Sequence, residues 1–573
     1  MNQQTVSRNS HMHRPSILLK RKCFHPKESK ADKIFCMMLI GLLSMKQRQF
    51  ASQIHAKILI PQERKLLYLQ KQYTIMKSSI KYAGLLLSCL LLLASCQNTP
   101  DNSSTTPTDT SAPRDTTAAD TTADSDPTAM YDPNLPAVDA GGDDFCFLYG
   151  DNDFEPNLDI CAEEENGEPL NDAIYARNLA MEEKYNVKIS WNRFHYDQAA
   201  AELSKTVKAG EDRYDVNINN GAYTLSLATQ KQLQQLNDFP YIDFSKPYWN
   251  SNMLSGSSIN NKNYFAYSDM NIHALGATPC VLFNKTVAEQ FDITDLYKNV
   301  TDGTWTYAKM SQYIKMVTGD IDGDGKITEK DRLGFVGNTF VIDCFLSGTG
   351  YQTITKDADD MPVLNIQSEP YYNIVAAIMD VCSADNGSYI CDRYSGVDRE
   401  YAPMEALEEN RALFWIANLK GVERMRGMES PFGILPIPKL NEEQSSYKIH
   451  YQANIGGAMS IPTTAANAEL IGMVLEDMAY ESMRTVKPAY VDVLLQGKFL
   501  RDEESLVTLN IMFDSYYSDI GFMTGSSGIT ILSELRDIIA NNRTDYVSRI
   551  EKKMKSYTKS LTKICNTYLE DPT

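Results

Sequence analysis

DFCFLY (Asp144 to Tyr149), AIYARNLAMEEK (Ala173 to Lys184), VKISWNRF (Val187 to Phe194), AAAELSKTVKAG (Ala199 to Gly210) and YDVNIN (Tyr214 to Asn219) follow one another along the chain. The first, third and fifth pieces are short apolar or alternating runs, which read as strands. The second piece has helical spacing, with Ile174, Leu179 and Met181 on its apolar side, and the fourth is helix-like. Strands that alternate with helices in this way predict βαβ units and a parallel sheet, hence an α/β fold. Further along, 3.6-residue periodicity over Ala465 to Arg484 and Ile531 to Ile564 predicts a helical C-terminal third. No repeat of fixed period is evident.

Upstream the sequence changes character. Residues 97–140 are dominated by Ser, Thr, Asp, Ala and Pro, as in TTPTDTSAPRDTTAADTTADSD. Such a segment cannot bury enough apolar surface to fold, and residues 96–140 are expected to be a flexible stalk. Before it, MKSSIKYAGLLLSCLLLLASC runs from Met76 to Cys96. Lys77 and Lys81 precede an apolar core too short for a span of roughly 20 residues. Leu93-Ala94-Ser95-Cys96 fits the lipobox pattern, in which the cysteine is acylated before cleavage. Residues 76–95 are therefore expected to be a lipoprotein signal peptide, with Cys96 the lipidated first residue of the mature protein. Residues 1–75 would then precede a complete signal and are expected to be a spurious extension.

Removing the leader sharpens the charge. Of 55 Lys+Arg and 74 Asp+Glu, 16 and 3 fall in residues 1–95, which leaves the remainder at −32. An acidic body of this kind repels nucleic acid, whose binding needs clustered Lys and Arg. Of 11 cysteines, three fall in residues 1–95 and Cys96 is the expected lipid site, which leaves Cys146, Cys161, Cys280, Cys344, Cys382, Cys391 and Cys565. Their scatter is neither a disulfide framework nor a zinc pattern, and buried free thiols are expected; Cys382–Cys391 and Cys146–Cys161 stay open as local pairs. His195, His273 and His450 are the histidines outside the leader, and no GxSxG elbow, HExxH helix or Walker loop appears. An enzyme is not expected.

The sharpest local motif is Asp320-Ile-Asp322-Gly-Asp324-Gly325-Lys326-Ile327-Thr328-Glu-Lys-Asp331. It sets carboxylates at loop positions 1, 3, 5 and 12 of the EF-hand template, with Gly325 at the sharp turn and Asp in place of the usual terminal Glu. Hard oxygen ligands at this spacing wrap one cation. A structural Ca²⁺ is expected, held by Asp320, Asp322, Asp324, the Lys326 carbonyl, Thr328 and Asp331. No helical hairpin partner accompanies the loop, so it is not an EF-hand sensor.

Several segments follow one another along the chain: YDVNINNGAYTLSLATQKQLQQLNDFPYIDFSKPYW (Tyr214 to Trp249), NYFAYSDMNIHALGATPCVLFNK (Asn263 to Lys285), DGTWTYAKM (Asp302 to Met310), FGILPIPKL (Phe432 to Leu440), GGAMSIP (Gly456 to Pro462) and LLQGKFLRDEES (Leu494 to Ser505). In these, residues 141–573 resemble the family 1 type extracellular solute-binding proteins of bacterial carbohydrate ABC importers. The resemblance implies a two-lobed periplasmic-binding-protein-like clamp with a hinge. By analogy lobe 1 comprises about 141–281 plus about 432–500, and lobe 2 about 282–431 plus the C-terminal helices. It implies a carbohydrate ligand, importer membrane subunits as partners, a lipid anchor in the membrane, and a monomer. On the same analogy Tyr223, Trp249, Asp269, Trp305 and Trp415 are ligand candidates, with Asn220 at a strand end in lobe 1 and Arg393 and Tyr394 in lobe 2. Each aromatic has a structural alternative, since Trp305 can pack at a helix start and Trp415 can be buried. A peptide ligand, or a surface glycoside hydrolase, are the competing functions.

Overall fold

The computed structural model describes residues 128–151, 159–450, 457–496 and 503–570. Cys96, the signal segment, residues 1–75 and the stalk as far as residue 127 lie outside the described residues. In chain order the principal elements are β1 (Asp143–Asp151), α1 (Pro169–Tyr185), β2 (Val187–His195), α2 (Tyr196–Ala209), β3 (Val216–Asn220), α3 (Gly221–Ala228) and β4 (Pro279–Asn284). They continue with α4 (Tyr307–Val317), β5 (Leu333–Gly337), α5 (Val341–Gly348), β6 (Ile354–Lys356), β7 (Pro362–Leu364), α6 (Glu369–Val381), β8 (Ser388–Ile390) and β9 (Ala412–Asn418). The last are β10 (Phe432–Leu435), β11 (Gly457–Ser460), α7 (Ala468–Glu481), α8 (Lys487–Gln496), α9 (Glu503–Phe513), α10 (Ile531–Ala540) and α11 (Tyr546–Leu569).

The alternation read from the sequence is the first lobe. Its sheet has the order β11-β3-β1-β2. β1 pairs in parallel with β2 and β3, while β11 runs antiparallel to β3. Local signals set the crossover helices. Pro169 occupies the first turn of α1, where its missing N–H costs nothing, and Asn186 ends the helix in the left-handed region. α2 stops at Gly210, φ 70°, which also adopts that conformation. The folded body begins earlier than expected: Tyr131, Leu135, Val138 and Ala140 pack on the core under β1. The Ala140 N–H donates to the Tyr185 carbonyl at 3.0 Å. The last residues assigned to the stalk are thus part of the lobe, because four spaced apolar side chains suffice to dock them.

The second lobe carries the sheet β10-β4-β9-β5-β8, with β6 and β7 forming a separate hairpin. β4 is antiparallel to β9 and β10, and β5 is parallel to β8 and β9. α4 lies close against β5, where Gly334 leaves no room for a Cβ beside the Ile314 carbonyl. The family analogy ends the first segment of lobe 1 at about 281 and returns the chain to it at about 432. The pairing of β10 with β4 places both in the second lobe, so the chain leaves lobe 1 before Pro279 and returns after Leu435. The architecture is a two-lobed α/β fold.

The C-terminal third is helical, with interruptions that periodicity did not show. Between α7 and α8 a π-helical turn spans Ser482–Val486. The run expected from Ile531 to Ile564 is two helices, because Asn542 adopts φ 47° and turns the chain. α7 and α8 pack on α1 in lobe 1, α9 packs on β10, and α10 packs on α5. The far end of α11 reaches lobe 1, where the Lys262 ammonium donates to the Tyr568 carbonyl at 2.9 Å. Among the described residues no helix is long and apolar enough to cross a membrane.

Candidate functional site

Among the stretches of chain that pass between the lobes, three meet. The first leads from Ala266, bridged to Met459 of β11, to Pro279 at the start of β4. The second runs from β10 to β11, and the third from α9 to Ile520–Met523, which packs on α3. They are tied together. The Ile449 N–H donates to Ser515 O at 3.0 Å, and the Tyr517 N–H donates to Ile449 O at 2.9 Å. The Thr278 and Tyr516 hydroxyls share a hydrogen bond of 2.6 Å. This cross-linked triple passage is the hinge.

A cleft of about 340 Å³ opens beside it, lined among others by Trp249, Asp269, Asn271, Lys487, Phe513 and Tyr516. Two of the residues expected from sequence, Trp249 and Asp269, meet here. Trp249 is sunk in the lobe 1 core at 2% exposure, and its Nε1–H donates to Glu476 Oε2 at 2.8 Å. Asp269 accepts from the Lys487 ammonium through Oδ1 at 2.8 Å, while its buried Oδ2 has no partner. Burial pushes this carboxyl above the ordinary range, and the Lys487 charge offsets part of that rise. Asn271, in the run YSDMNIHALG, is 2% exposed. Its Oδ1 accepts from the Ser268 N–H at 3.0 Å, which fixes the amide's orientation and leaves Nδ2 without a partner. Sequence reading missed Asn271, Lys487 and Tyr516. Nothing in the sequence sets Asn271 apart, since Ser268, Asp269 and His273 are polar in the same run.

The remaining candidates lie elsewhere. Asn220 caps α3, its Oδ1 accepting from the Ala222 N–H at 2.9 Å, and Tyr223 sits half-buried on that helix. The Asn220 side chain therefore satisfies a helix N-terminus. Trp305 is fully buried, donates from Nε1 to the Pro436 carbonyl at 2.8 Å, and packs on Phe414. It is a core residue of lobe 2, and Trp415 is half-buried against that lobe's other core. Arg393 and Tyr394 line a separate groove of about 560 Å³ with Lys326 and Thr328. Arg393 donates to the carbonyls of Ile539 and Cys382 at 2.9 and 2.8 Å, and burial lowers its pKa. Tyr394 stacks on Tyr389 with ring centroids 4.3 Å apart. No disulfide joins any of the seven described cysteines.

The acidic loop lies between α4 and β5, closed by the bridge of Gly319 with Arg332. Carboxylate oxygens of Asp320, Asp322 and Asp324 come within 4.8 Å of one another on the surface. Backbone N–H groups orient them: Gly323 and Gly325 donate to Asp320, and Lys326 donates to Asp324. Gly325 has φ 82°, as the sharp turn requires. Asp331 is buried and stands apart from this trio. Its Oδ1 accepts from the Ile321 N–H and its Oδ2 from the Thr328 N–H and hydroxyl, all at 2.8–2.9 Å. Burial alone would raise its pKa, but those hydrogen bonds prevail and hold it below the ordinary range. The oxygen donor set fits a hard divalent cation, with Asp331 bracing the loop.

No protein-family model matches the chain, and no curated protein matches it. Solved structures do. A cyclic α-maltosyl-1,6-maltose binding protein from Arthrobacter globiformis is 12% identical over 74% of this chain and 99% of its own, with a TM-score of 0.49. An ABC substrate-binding protein from Listeria monocytogenes in complex with cycloalternan is 10% identical over 74% and 99%, with a TM-score of 0.48. A maltose/maltodextrin-binding domain from Bdellovibrio bacteriovorus bound to maltotriose is 13% identical over 74% and 98%, with a TM-score of 0.46.

Proposed function

We propose that the protein is an extracytoplasmic solute-binding lipoprotein that captures a carbohydrate and delivers it to the membrane subunits of an ABC importer. The observation that carries this reading is the hinge: two lobes with separate sheets, joined by passages tied together at Thr278, Ile449 and Tyr516. A clamp of this construction responds to a solute through contacts that both lobes make only when closed. The ordered segments from Tyr214 to Ser505 support the same class, and the acidic body suits an uncharged ligand. Cys96 carries the lipid anchor, the protein acts as a monomer, and it performs no chemistry on its ligand. The loop Asp320–Asp331 holds Ca²⁺ as a structural brace of lobe 2.

The test is thermal shift of the full chain with a panel of oligosaccharides and oligopeptides, paired with small-angle scattering for lobe closure. An oligosaccharide that raises the melting temperature, contracts the particle and is recovered intact is the expected result. Stabilisation by peptides alone, or cleavage of the sugar, overturns the proposal.

A further inference from the structure

The last helix breaks the charge pattern of the body. Residues 96–573 carry a formal charge of −32, yet α11 holds Arg549, Lys552, Lys553, Lys555, Lys559 and Lys563 against one acid, Glu551. These cations are ordered around the helix. Ile550, Tyr557, Leu561, Ile564 and Tyr568 form its buried side, where α11 packs on α10 and β7. With 3.6 residues per turn, Lys552, Lys555, Lys559 and Lys563 fall within about 80° of one another on the opposite side, along roughly 17 Å of helix. All four are exposed.

The neighbouring acids are engaged elsewhere. Glu534 takes Lys553 at 3.1 Å and Arg549 at 2.7 Å, Asp537 takes Arg549 at 2.8 Å, and Glu570 takes Lys231 at 2.7 Å. No carboxylate among the described residues pairs with the four lysines of the stripe. Like charges at i,i+4 destabilise a helix, and Lys555–Lys559 and Lys559–Lys563 are such pairs. The stripe therefore costs the fold something that an external anionic partner would relieve.

The composition of the face selects the partner. Ser556, Thr562 and Asn566 are exposed or partly exposed between the ammonium groups, and no aromatic side chain stands among them. Protein interfaces favour Tyr, Trp, Phe and Arg and are depleted in Lys, so an acidic protein is the poorer fit. A straight row of point charges suits a layer of anionic headgroups, which needs no fixed register. Each lysine close to such a layer strengthens binding roughly fivefold. Salt limits the reach of a charge to about 8 Å, so acids on the far sides of the body do not cancel the stripe.

We propose that the lysine stripe of α11 is a docking surface for an anionic phospholipid bilayer, which sets the orientation of the protein on the membrane. This rests on the lipoprotein reading for the nearness of that bilayer. From Cys96 to Thr128, the first described residue, the chain reaches at most about 110 Å, so a lipid at Cys96 keeps α11 close to the headgroups. Docking through α11 turns the opposite side of the body away from the membrane.

Acetylation of surface amines in the full chain, read lysine by lysine by mass spectrometry, tests this. Vesicles of phosphatidylcholine with about one-third phosphatidylglycerol should slow the reaction of Lys552, Lys555, Lys559 and Lys563 roughly fivefold. Lys188 and Lys208, exposed on lobe 1, should change less than about twofold under the same conditions. Pure phosphatidylcholine, or high salt, should leave the four at their solution rates. Lys555→Gln/Lys559→Gln should return Lys552 and Lys563 to their solution rates as well, because two of the four contributions are gone. Circular dichroism and the oligosaccharide thermal shift of that variant should match the parent. No selective slowing by the anionic vesicles, equal slowing by neutral ones, or slowing that persists in the double variant overturns the proposal. Equal slowing by soluble poly-aspartate overturns it too, since the partner would then be an acidic chain. Loss of the oligosaccharide response in the unsubstituted chain would instead count against the proposed function.

Discussion

Glu476 offers the clearest test of how lobe 1 is held. It projects from α7 at 1% exposure. Its Oε1 accepts from the Tyr248 hydroxyl at 2.6 Å, and its Oε2 from the Trp249 Nε1–H at 2.8 Å and the Asp243 N–H at 3.2 Å. One carboxylate thus anchors the segment that runs into the hinge cleft. Burial raises its pKa, and the three hydrogen bonds offset part of the rise. Glu476→Ala strands three donors, each costing about 1–3 kcal/mol when buried without a partner. Water entering the space relieves some of this, so a net loss of about 3–5 kcal/mol is expected. In Glu476→Gln, the amide Oε1 can still serve Trp249 and Asp243, while the Tyr248 hydroxyl turns to accept from Nε2. The loss then falls to about 1–2 kcal/mol, the difference between a charged and a neutral acceptor. Urea unfolding at neutral pH, followed by tryptophan fluorescence, measures both. An Ala variant within about 1 kcal/mol of the parent, or a Gln variant as unstable as Ala, would refute the network as the anchor.

Adding Ca²⁺ at a hundredfold excess over its dissociation constant should stabilise the folded chain by about 2.7 kcal/mol relative to EDTA, read as a rise in melting temperature. Asp320→Asn/Asp324→Asn should abolish that rise, and an unchanged melting temperature in the parent removes the calcium proposal. Trp305→Ala should cost about 3–5 kcal/mol in urea unfolding and leave ligand affinity of the folded protein intact, because the indole is core; lost affinity at unchanged stability would contradict this. Asp519 is buried, which pushes its carboxyl from 3.8 to about 6 despite hydrogen bonds from Thr353, Ile354 and Gly521. A raised folded pKa gives stability that is fully present below the unfolded value and is lost as pH rises through about 6. Asp519→Asn should therefore gain relative to the parent between about pH 4 and 6, whatever its baseline, and parallel stability curves would falsify the assignment.

What the sequence made legible was local. Strand–helix alternation from Asp144 to Asn219 depends on side-chain period, and the lobe 1 sheet follows it closely. The lobe that β10 joins is not legible locally, because its partner β4 lies far away in sequence and no local pattern records an antiparallel pairing of that range. The break between α10 and α11 escaped because Asn542 tolerates a left-handed turn without interrupting the apolar period. At the site, residue type was the limit. A tryptophan suits a core and a ligand face equally, and only burial with a bonded Nε1–H assigns Trp249 and Trp305 to the core. Asn271 could not be found in advance, because being unpartnered is a property of the folded surroundings and not of the residue.

The hinge shows why the lobes' freedom is narrow. A single connection would let one lobe swivel in any direction about the other. Passages cross-linked by backbone bonds from Ile449 to Ser515 and Tyr517, and by a hydroxyl bond between Thr278 and Tyr516, resist twisting and sliding. Bending about the line of those bonds remains the soft coordinate. The end of α11 opposes even that motion on one side. Its Tyr568 carbonyl accepts from Lys262 and its Tyr568 ring packs edge-on against Tyr264 at 4.9 Å. The accompanying Lys231–Glu570 pair is solvent-exposed and worth at most about 1 kcal/mol. Opening on that side must break a hydrogen bond and an aromatic contact, each about 0.5–1.5 kcal/mol net. A ligand's differential contacts need only exceed a few kcal/mol of this kind to decide between the arrangements. That is within reach of a solute that makes contacts with both lobes only when they close.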